Sequence, residues 1–255
     1  MVFFKSYPPN THGADFVVGD LHGHGAELLD ALERLGFDRS RDRLFCTGDL
    51  IDRGPDSFGT LKLITEPWFY FVRGNHEDDL PLFLEYQYAA PYGEAAARET
   101  GQDWIYRLSE EDLAYLRAVL LPKIQDAPLV LRVEGESGFW MAHADRGVFG
   151  SYGDPLPLVD DARLPFVTDD NQMEALLWSR RLLRQVPRQE LTDRGAYLAV
   201  PGMEWETGVG LTFAGHSYVQ KPVLHRSHFF LDTGAGTTPR GRLTVLRAQD
   251  QELRP

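Results

Sequence analysis

Three times in the first third of the chain, a short apolar run passes through glycine into an acidic or amide residue. The segments are Phe16-Val17-Val18-Gly19-Asp20, Leu44-Phe45-Cys46-Thr47-Gly48-Asp49 and Trp68-Phe69-Tyr70-Phe71-Val72-Arg73-Gly74-Asn75. Helical patterns follow. Leu28, Leu29, Leu32 and Leu35 recur at helical spacing up to Gly36, a short helix is expected from Ser57 to Ile64 before Pro67, and a third runs through Tyr88 before Pro91. Strand–loop–helix units in series predict parallel strands with crossover helices. Ligands bind such sheets beyond the carboxyl ends of the strands. All three polar clusters fall at that end, so segments distant in sequence can meet in one crevice.

The later part of the chain reads differently. Leu129–Val133 and Phe139–Ala142 flank Glu134-Gly135-Glu136-Ser137-Gly138, a hairpin signal. Gly210–Ala214, Pro222–His225, His228–Leu231 and Leu243–Leu246 are further short strands, antiparallel or mixed in direction. A helix is expected over Gln172–Leu183, and the Gly-, Pro- and Asp-rich stretch 151–165 reads as a surface loop. The expectation is a single α/β domain over residues 1–255: a mixed-sheet β-sandwich flanked by helices.

Composition narrows the classes of function. The 255 residues carry 26 Lys and Arg against 38 Asp and Glu, a formal net charge of −12. That balance argues against nucleic acid or an anionic membrane as partner. No run approaches the ~18–20 apolar residues of a membrane span, and Met1–Pro9 has no signal-peptide pattern. A cytoplasmic protein is therefore expected. Cys46, the one cysteine, sits in an apolar run with no phosphate-cradling loop after it, and reads as a core residue rather than a nucleophile.

Four places carry the chemistry: Gly19-Asp20-Leu21-His22-Gly23, Gly48-Asp49-Leu50-Ile51-Asp52-Arg53-Gly54, Gly74-Asn75-His76-Glu77, and the isolated His143 and His216. Carboxylate, amide and imidazole suit Mn, Fe and Zn, and thiolate is missing from the set. Asp20 and His22 are two apart, so an extended backbone would send both to one face. A lone Gly-Asp is usually a turn and a lone histidine usually a surface or core residue. Three such segments, each after an apolar run, are not explained as independent turns.

These segments resemble the phosphoprotein phosphatase family of calcineurin-like metallophosphoesterases, especially the bacterial and phage lambda type of serine/threonine protein phosphatase. Its pattern is Gly-Asp-x-His-Gly, Gly-Asp-x-x-Asp-Arg-Gly, Gly-Asn-His-Glu and two isolated histidines. The likeness extends to His143-Ala144-Asp145, Gly215-His216-Ser217 and Leu231-Asp232-Thr233-Gly234-Ala235, and spans residues 16 to 246. It implies that Asp20 and His22 hold one metal, that Asn75, His143 and His216 hold another, and that Asp49 bridges them. The cofactor implied is a pair of divalent transition-metal ions, Mn2+ first, with Fe or Zn compatible. Water activated between them would attack phosphorus in line. By the same resemblance His76 is the leaving-group acid, Asp52 orients it, and Arg53 grips the phosphoryl oxygens. In Trp178-Ser179-Arg180-Arg181, Arg180 fits the second phosphate clamp better than Arg181. The partner implied is a phosphorylated protein or peptide, on phosphoserine and phosphothreonine with phosphotyrosine a further substrate.

Alternatives remain open at this point. Symmetrical dinucleoside tetraphosphate hydrolases share the fold, but their motif typically lacks the Asp of Asp-Arg-Gly, and Asp52 is present here. A non-catalytic, metal-stabilised binding protein would be expected to lack His76, Asp52 or Arg53, and all three are present. Asp145 is a candidate to orient His143. His12, His24, His225 and His228 have no motif role. The segments from His143 to Arg180 and from Arg180 to His216 are longer than in the simplest bacterial members, which puts extra residues near the mouth of the site.

Overall fold

The computed structural model describes residues 2–148, 156–186 and 191–250. The expected 151–165 loop begins outside the described residues; its described part is irregular up to a 3-10 turn at Leu164–Phe166. Among the described residues twelve strands form two sheets, one of four strands and one of eight.

The four-stranded sheet holds the three repeating units. β2 (Asp15–Val18), β3 (Arg43–Cys46) and β4 (Phe69–Phe71) are parallel neighbours, and β12 (Val245–Arg247) closes the other edge antiparallel to β2. Helices α1 (Gly25–Arg34) and α2 (Ser57–Lys62) make the crossovers. Leu28 and Leu32 bury one face of α1, and the Asp56 side chain caps α2 by accepting from Gly59 N at 2.8 Å. Successive strand residues point to opposite faces. Phe16, Val18, Leu44, Cys46 and Phe69 accordingly pack under helices, while Val17 and Phe45 face the second sheet. Cys46 is thus a core residue, and burial raises its thiol pKa well above the ordinary value.

The eight-stranded sheet runs β1 (Phe4–Tyr7), β5 (Val130–Val133), β6 (Phe139–Ala142), β9 (Thr212–Ala214), β11 (His228–Phe230), β10 (Val223–His225), β8 (Leu198–Ala199), β7 (Thr192–Asp193). β5 and β6 form the expected antiparallel hairpin, Val130 opposite Ala142. β9 lies parallel to both β6 and β11, so the sheet is mixed. Leu131, Phe139, Met141, Phe213 and Phe229 fill the interface between the sheets. Phe139 meets Phe45 edge-on at 5.4 Å between ring centroids. On the outer face, Val130, Trp140 and Ala142 pack against Leu176 and Leu177 of α7 (Asp170–Trp178). Farther along, Ala214, Val223 and Phe230 pack against Leu182 of α8 (Arg181–Arg184). The architecture is α/β, two mixed sheets face to face with helices outside.

Two expectations about helices change. The Gln172–Leu183 helix is divided into α7 and α8, because Ser179 is extended at ψ 134°. The helix through Tyr88 is α3 (Asn75–Leu82) followed, just after Pro81, by a π turn over Phe83–Gln87. Three further helices, α4 (Gly93–Thr100), α5 (Glu110–Tyr115) and α6 (Leu121–Gln125), with a π turn over Leu116–Leu120 between the last two, cover the four-stranded sheet; Ala97 of α4, Leu116 and Leu120 of the turn and Ile124 of α6 are buried there.

Candidate active site

The loops leaving β2, β3 and β4 are tied together before any side chain of the site is placed. The carbonyl of Asp49 accepts from both Leu21 N (3.0 Å) and His22 N (2.8 Å). The buried Glu77 carboxylate accepts from Asp49 N (2.8 Å), Leu50 N (2.8 Å) and Gly74 N (3.1 Å). One side chain of the third segment therefore shapes the loop of the second. Gly74 has no room for a side chain: a Cβ there would lie 2.2 Å from Asp49 Oδ1. His22, Asp49, Asp52, Arg53 and His216 all have positive φ, between 38° and 72°. Five non-glycine residues in this strained region at one locus mark a site where function outweighs backbone comfort. Asp20 and His22 are accordingly brought to the crevice by a turn, and the extended spacing expected for them is not what the structure has.

The ring nitrogens show what the centre can hold. His22 Nδ1 lies 2.8 Å from Ile51 O, His143 Nδ1 lies 2.8 Å from Thr47 O, and His216 Nε2 lies 3.1 Å from Trp178 O. A carbonyl only accepts, so each of these nitrogens carries its ring's proton, and the other nitrogen points a lone pair inward. Burial pushes His22 and His216 down to about 3 and lowers His143 as well, so the rings are neutral near pH 7. His143 Nε2 then faces Asn75 Oδ1 at 2.9 Å and Asp49 Oδ1 at 3.4 Å, and His216 Nδ1 faces Asn75 Oδ1 at 3.0 Å. Lone pairs face lone pairs in a buried space, an arrangement that a cation relieves. The donors fall into two groups, His22–Asp49–His76 and Asp49–His143–His216, each with ligand atoms within 4.8 Å of one another. Asp49 is common to both. The set of imidazole, carboxylate and amide oxygen suits divalent transition metals.

Asp20 lies at the edge of the cluster, beside Asp49 and the His216 backbone. Its carboxylate accepts from Thr47 Oγ1 (2.9 Å) and His216 N (2.9 Å), and it lies outside both ligand groups. Burial, then the carboxylates of Asp232 and Asp49, raise its pKa well above the ordinary range. A Cβ on Gly215 would come within 1.9 Å of Asp20 Oδ1, so this close approach requires glycine. His76, expected as an acid rather than a ligand, takes the place beside His22 and Asp49.

The Asp52–His76 pair is in contact. His76 Nδ1 and Asp52 Oδ2 are 2.5 Å apart, and the second carboxylate oxygen, Oδ1, accepts from Trp104 Nε1 at 2.7 Å. Burial opposes charge on His76, but Asp49 and the bonded Asp52 outweigh it and raise its pKa. Arg53 spans the crevice, with Nη1 2.9 Å from His22 Nε2 and Nη2 2.8 Å from His76 Nε2. A guanidinium has no acceptor, so both ring nitrogens offer it lone pairs. Arg53 is itself held by a backbone bond from its N to Gly101 O at 3.1 Å.

Arg180 occupies the break between α7 and α8, and its Nη1 donates to the carbonyl of His216. Arg181 Nη1 instead donates to Val148 O at 3.3 Å. Asp145 makes no hydrogen bond to His143 among the described residues. Its Oδ2 accepts from Leu182 N (3.0 Å) and its Oδ1 from Gly147 N (2.9 Å), so it fixes the start of α8. His24 caps the first loop through Nδ1, 2.8 Å from His22 O. His225 and His228 are buried at the β10–β11 hairpin, and neither belongs to a ligand group among the described residues.

Sequence reasoning gave no role to four residues that shape the site: Glu77, Thr47, Trp104 and Asp232. Glu77, Thr47 and Asp232 stand inside quoted segments, so their position was a signal. Trp104 comes from a 3-10 turn, Asp103–Arg107, far from every segment, and carried none.

The family model described as calcineurin-like phosphoesterase matches residues 16–219. Serine/threonine-protein phosphatase 1 of Salmonella typhimurium is 39% identical over 244 residues, covering 92% of this chain and 91% of the relative. Serine/threonine-protein phosphatase 2 of the same organism is 36% identical over 223 residues, covering 86% and 87%. The solved structure of a proposed diadenosine tetraphosphatase superposes with a TM-score of 0.55 at 19% identity, covering 97% of this chain and 98% of that one, a likeness of fold. The chain belongs to the calcineurin-like phosphoesterase family.

Proposed function

We propose that this calcineurin-like phosphoesterase removes phosphate from phosphoserine and phosphothreonine side chains of proteins, with residues 1–255 acting as one catalytic unit. The observation that carries the reading is the acceptor-only cluster around Asp49 beside a hydrogen-bonded Asp52–His76 pair. The two Salmonella phosphatases support the substrate class. We assign the metal set to Asp20, His22, Asp49, Asn75, His143 and His216, with Asp20 drawn in through Thr47 and His216, and manganese as the native ion. Two such ions supply a water of lowered pKa and positive charge for the phosphoryl oxygens.

The chain's own groups do the rest. Arg53 donates to two neutral ring nitrogens, and an incoming phosphoryl group offers it anionic oxygens instead, a stronger pairing. That exchange uncovers His76 Nε2. The freed Nε2 takes up a proton from solvent, Asp52 stabilises the resulting imidazolium, and His76 then gives that Nε2 proton to the departing seryl oxygen as the P–O bond breaks. Trp104 holds Asp52 in place from the far side. Arg180 supplies a second guanidinium from the α7–α8 break.

A chelated and a Mn2+-reloaded preparation, compared on phosphoserine peptide, p-nitrophenyl phosphate and diadenosine tetraphosphate, tests the proposal. Reloading restores activity, and the phosphopeptide has a higher kcat/KM than the dinucleotide. Full activity of metal-free protein overturns the metal assignment. A preference for the dinucleotide overturns the substrate class.

A further inference from the structure

Beside Arg180, in the angle between α7 and α8, lies a pocket of about 270 Å3 whose walls include Glu174, Trp178, Arg180, Arg181 and Arg184. Three guanidinium groups against one carboxylate give it a positive lining in a protein of net charge −12. The pocket shares a wall with the metal centre. The Trp178 carbonyl lies 3.1 Å from His216 Nε2, and the Trp178 ring stands edge-on to the His216 ring at 6.0 Å. Trp178 is nonetheless 46% exposed, an aromatic surface left open at the mouth of the pocket. Arg180 and Arg181 are engaged with the carbonyls of His216 and Val148. Among the described residues the Arg184 side chain has no hydrogen-bond or ion-pair partner, so its charge is available. The volume falls below the ~300–1,000 Å3 usual for small-molecule sites and suits a single anionic side chain.

We propose that this pocket is an anion subsite that takes an acidic side chain flanking the phosphorylated residue of the substrate. Its occupant is a carboxylate or a second phosphate, since both offer paired oxygens to a guanidinium fork. The proposal rests on the phosphoprotein phosphatase reading. With the phosphoryl group between Arg53 and Arg180, the neighbouring side chain reaches the far side of Arg180, where Arg184 and Arg181 meet it and the Trp178 ring supports the peptide. Glu174 keeps the empty pocket from carrying three uncompensated charges.

The test uses Mn2+-loaded protein and phosphoserine peptides alike except for one flanking residue, which is Glu, phosphoserine, Ala or Lys and is moved stepwise along either side. In the native protein an acid at the matching position raises kcat/KM about 5-fold over Ala at low salt, the worth of one partly exposed ion pair, and salt erodes the gain. Arg184→Ala removes the preference, Arg184→Glu turns it toward Lys, and both leave p-nitrophenyl phosphate turnover unchanged. A gain from flanking phosphoserine but not Glu names phosphate as the occupant; a gain from Glu names carboxylate. Peptides hydrolysed without regard to the flanking residue, or a preference that survives Arg184→Glu, overturn the subsite alone. Hydrolysis of p-nitrophenyl phosphate but of no peptide overturns the phosphoprotein reading and the subsite with it.

Discussion

The two sheets contribute to the centre in different ways. The four-stranded sheet delivers Asp20, His22, Asp49, Asp52, Arg53, Asn75 and His76 from three consecutive loops, each at the end of a parallel strand. The eight-stranded sheet delivers His143 after β6 and His216 after β9, with α7 and Arg180 between them in sequence. On the first side the loops hold one another: Glu77 bonds three backbone N–H groups and Asp49 O bonds two. On the second side each side chain is threaded to one backbone carbonyl, His143 to Thr47 O, His216 to Trp178 O and Arg180 to His216 O, and the His216 backbone adds a bond to Asp20. The interlocked side is thus the more heavily braced, while the threaded side supplies two of the ligand candidates and Arg180 from more sparsely bonded segments.

The sharpest way to break that comparison is at the residue common to both sides. Asp49→Asn should lose bound metal altogether, more than the ~10–100-fold affinity loss typical of a supporting residue. Metal analysis and turnover of p-nitrophenyl phosphate check it, and two tightly held ions in the variant would show that Asp49 is not shared. Chelation of the native protein should lower its Tm, because the acceptor cluster is then left facing itself; an unchanged Tm in differential scanning calorimetry contradicts the argument from lone pairs.

His76→Asn tests the interlocked side alone. Both metals stay and kcat falls by ~10²–10⁴ on phosphoserine peptide. The fall is smaller on p-nitrophenyl phosphate, whose leaving anion needs little help from a proton. Equal defects under chemistry-limited conditions exclude His76 as the leaving-group acid. Arg180→Ala tests the threaded side. Inhibition by inorganic phosphate should weaken by about 10- to 100-fold, the worth of a hydrogen bond from a charged group. Arg181→Ala should not reproduce this; if it alone does, the clamp is one residue further on.

The smallest expected effect is a pH shift. The His76 acid is active while protonated, so activity falls as pH rises through its raised pKa. Asp52 favours the protonated ring, and the Trp104 N–H favours the Asp52 anion. Asp52→Asn should therefore move the alkaline limb of the kcat profile to lower pH, and Trp104→Phe, which leaves more charge on an ionised Asp52 to hold the imidazolium, should move it slightly the other way. An unmoved limb in both variants, with metal content unchanged, would detach His76 from that limb.

The same division governs what could be read from the sequence. β2, β3 and β4 were legible because each is an apolar run ended by glycine, and the segments after them are dense in unusual residues. The later half was legible only in part. Leu176, Leu177, Leu182 and Leu183 continue a helical pattern straight across the break at Ser179, and what interrupts it is tertiary: Asp145 holding Leu182 N, and Arg180 reaching to His216 O. β1 escaped notice because Phe4-Lys5-Ser6-Tyr7 mixes polar and apolar residues, as an edge strand does. The turn at His22 was hidden for a similar reason, since its partner is the backbone of Asp49, which no side-chain pattern encodes.

β12 carries one more consequence, and it concerns time. Val245–Arg247 is the last strand among the described residues and the partner of β2, one of the first. The Thr244 carbonyl accepts from Gly19 N at 3.3 Å, next to Asp20, and Ala248 N and the Gln249 side chain bind Asp15 at the other end of β2. At ~5–20 residues per second, a ribosome needs roughly 10 to 50 s to supply β12 once β2 has been made. For that interval Phe16, Val17 and Val18 form an apolar edge open to other chains. Hydrolytic activity should therefore be missing from arrested nascent chains until residues 244–249 have cleared the exit tunnel, however complete their motifs already are.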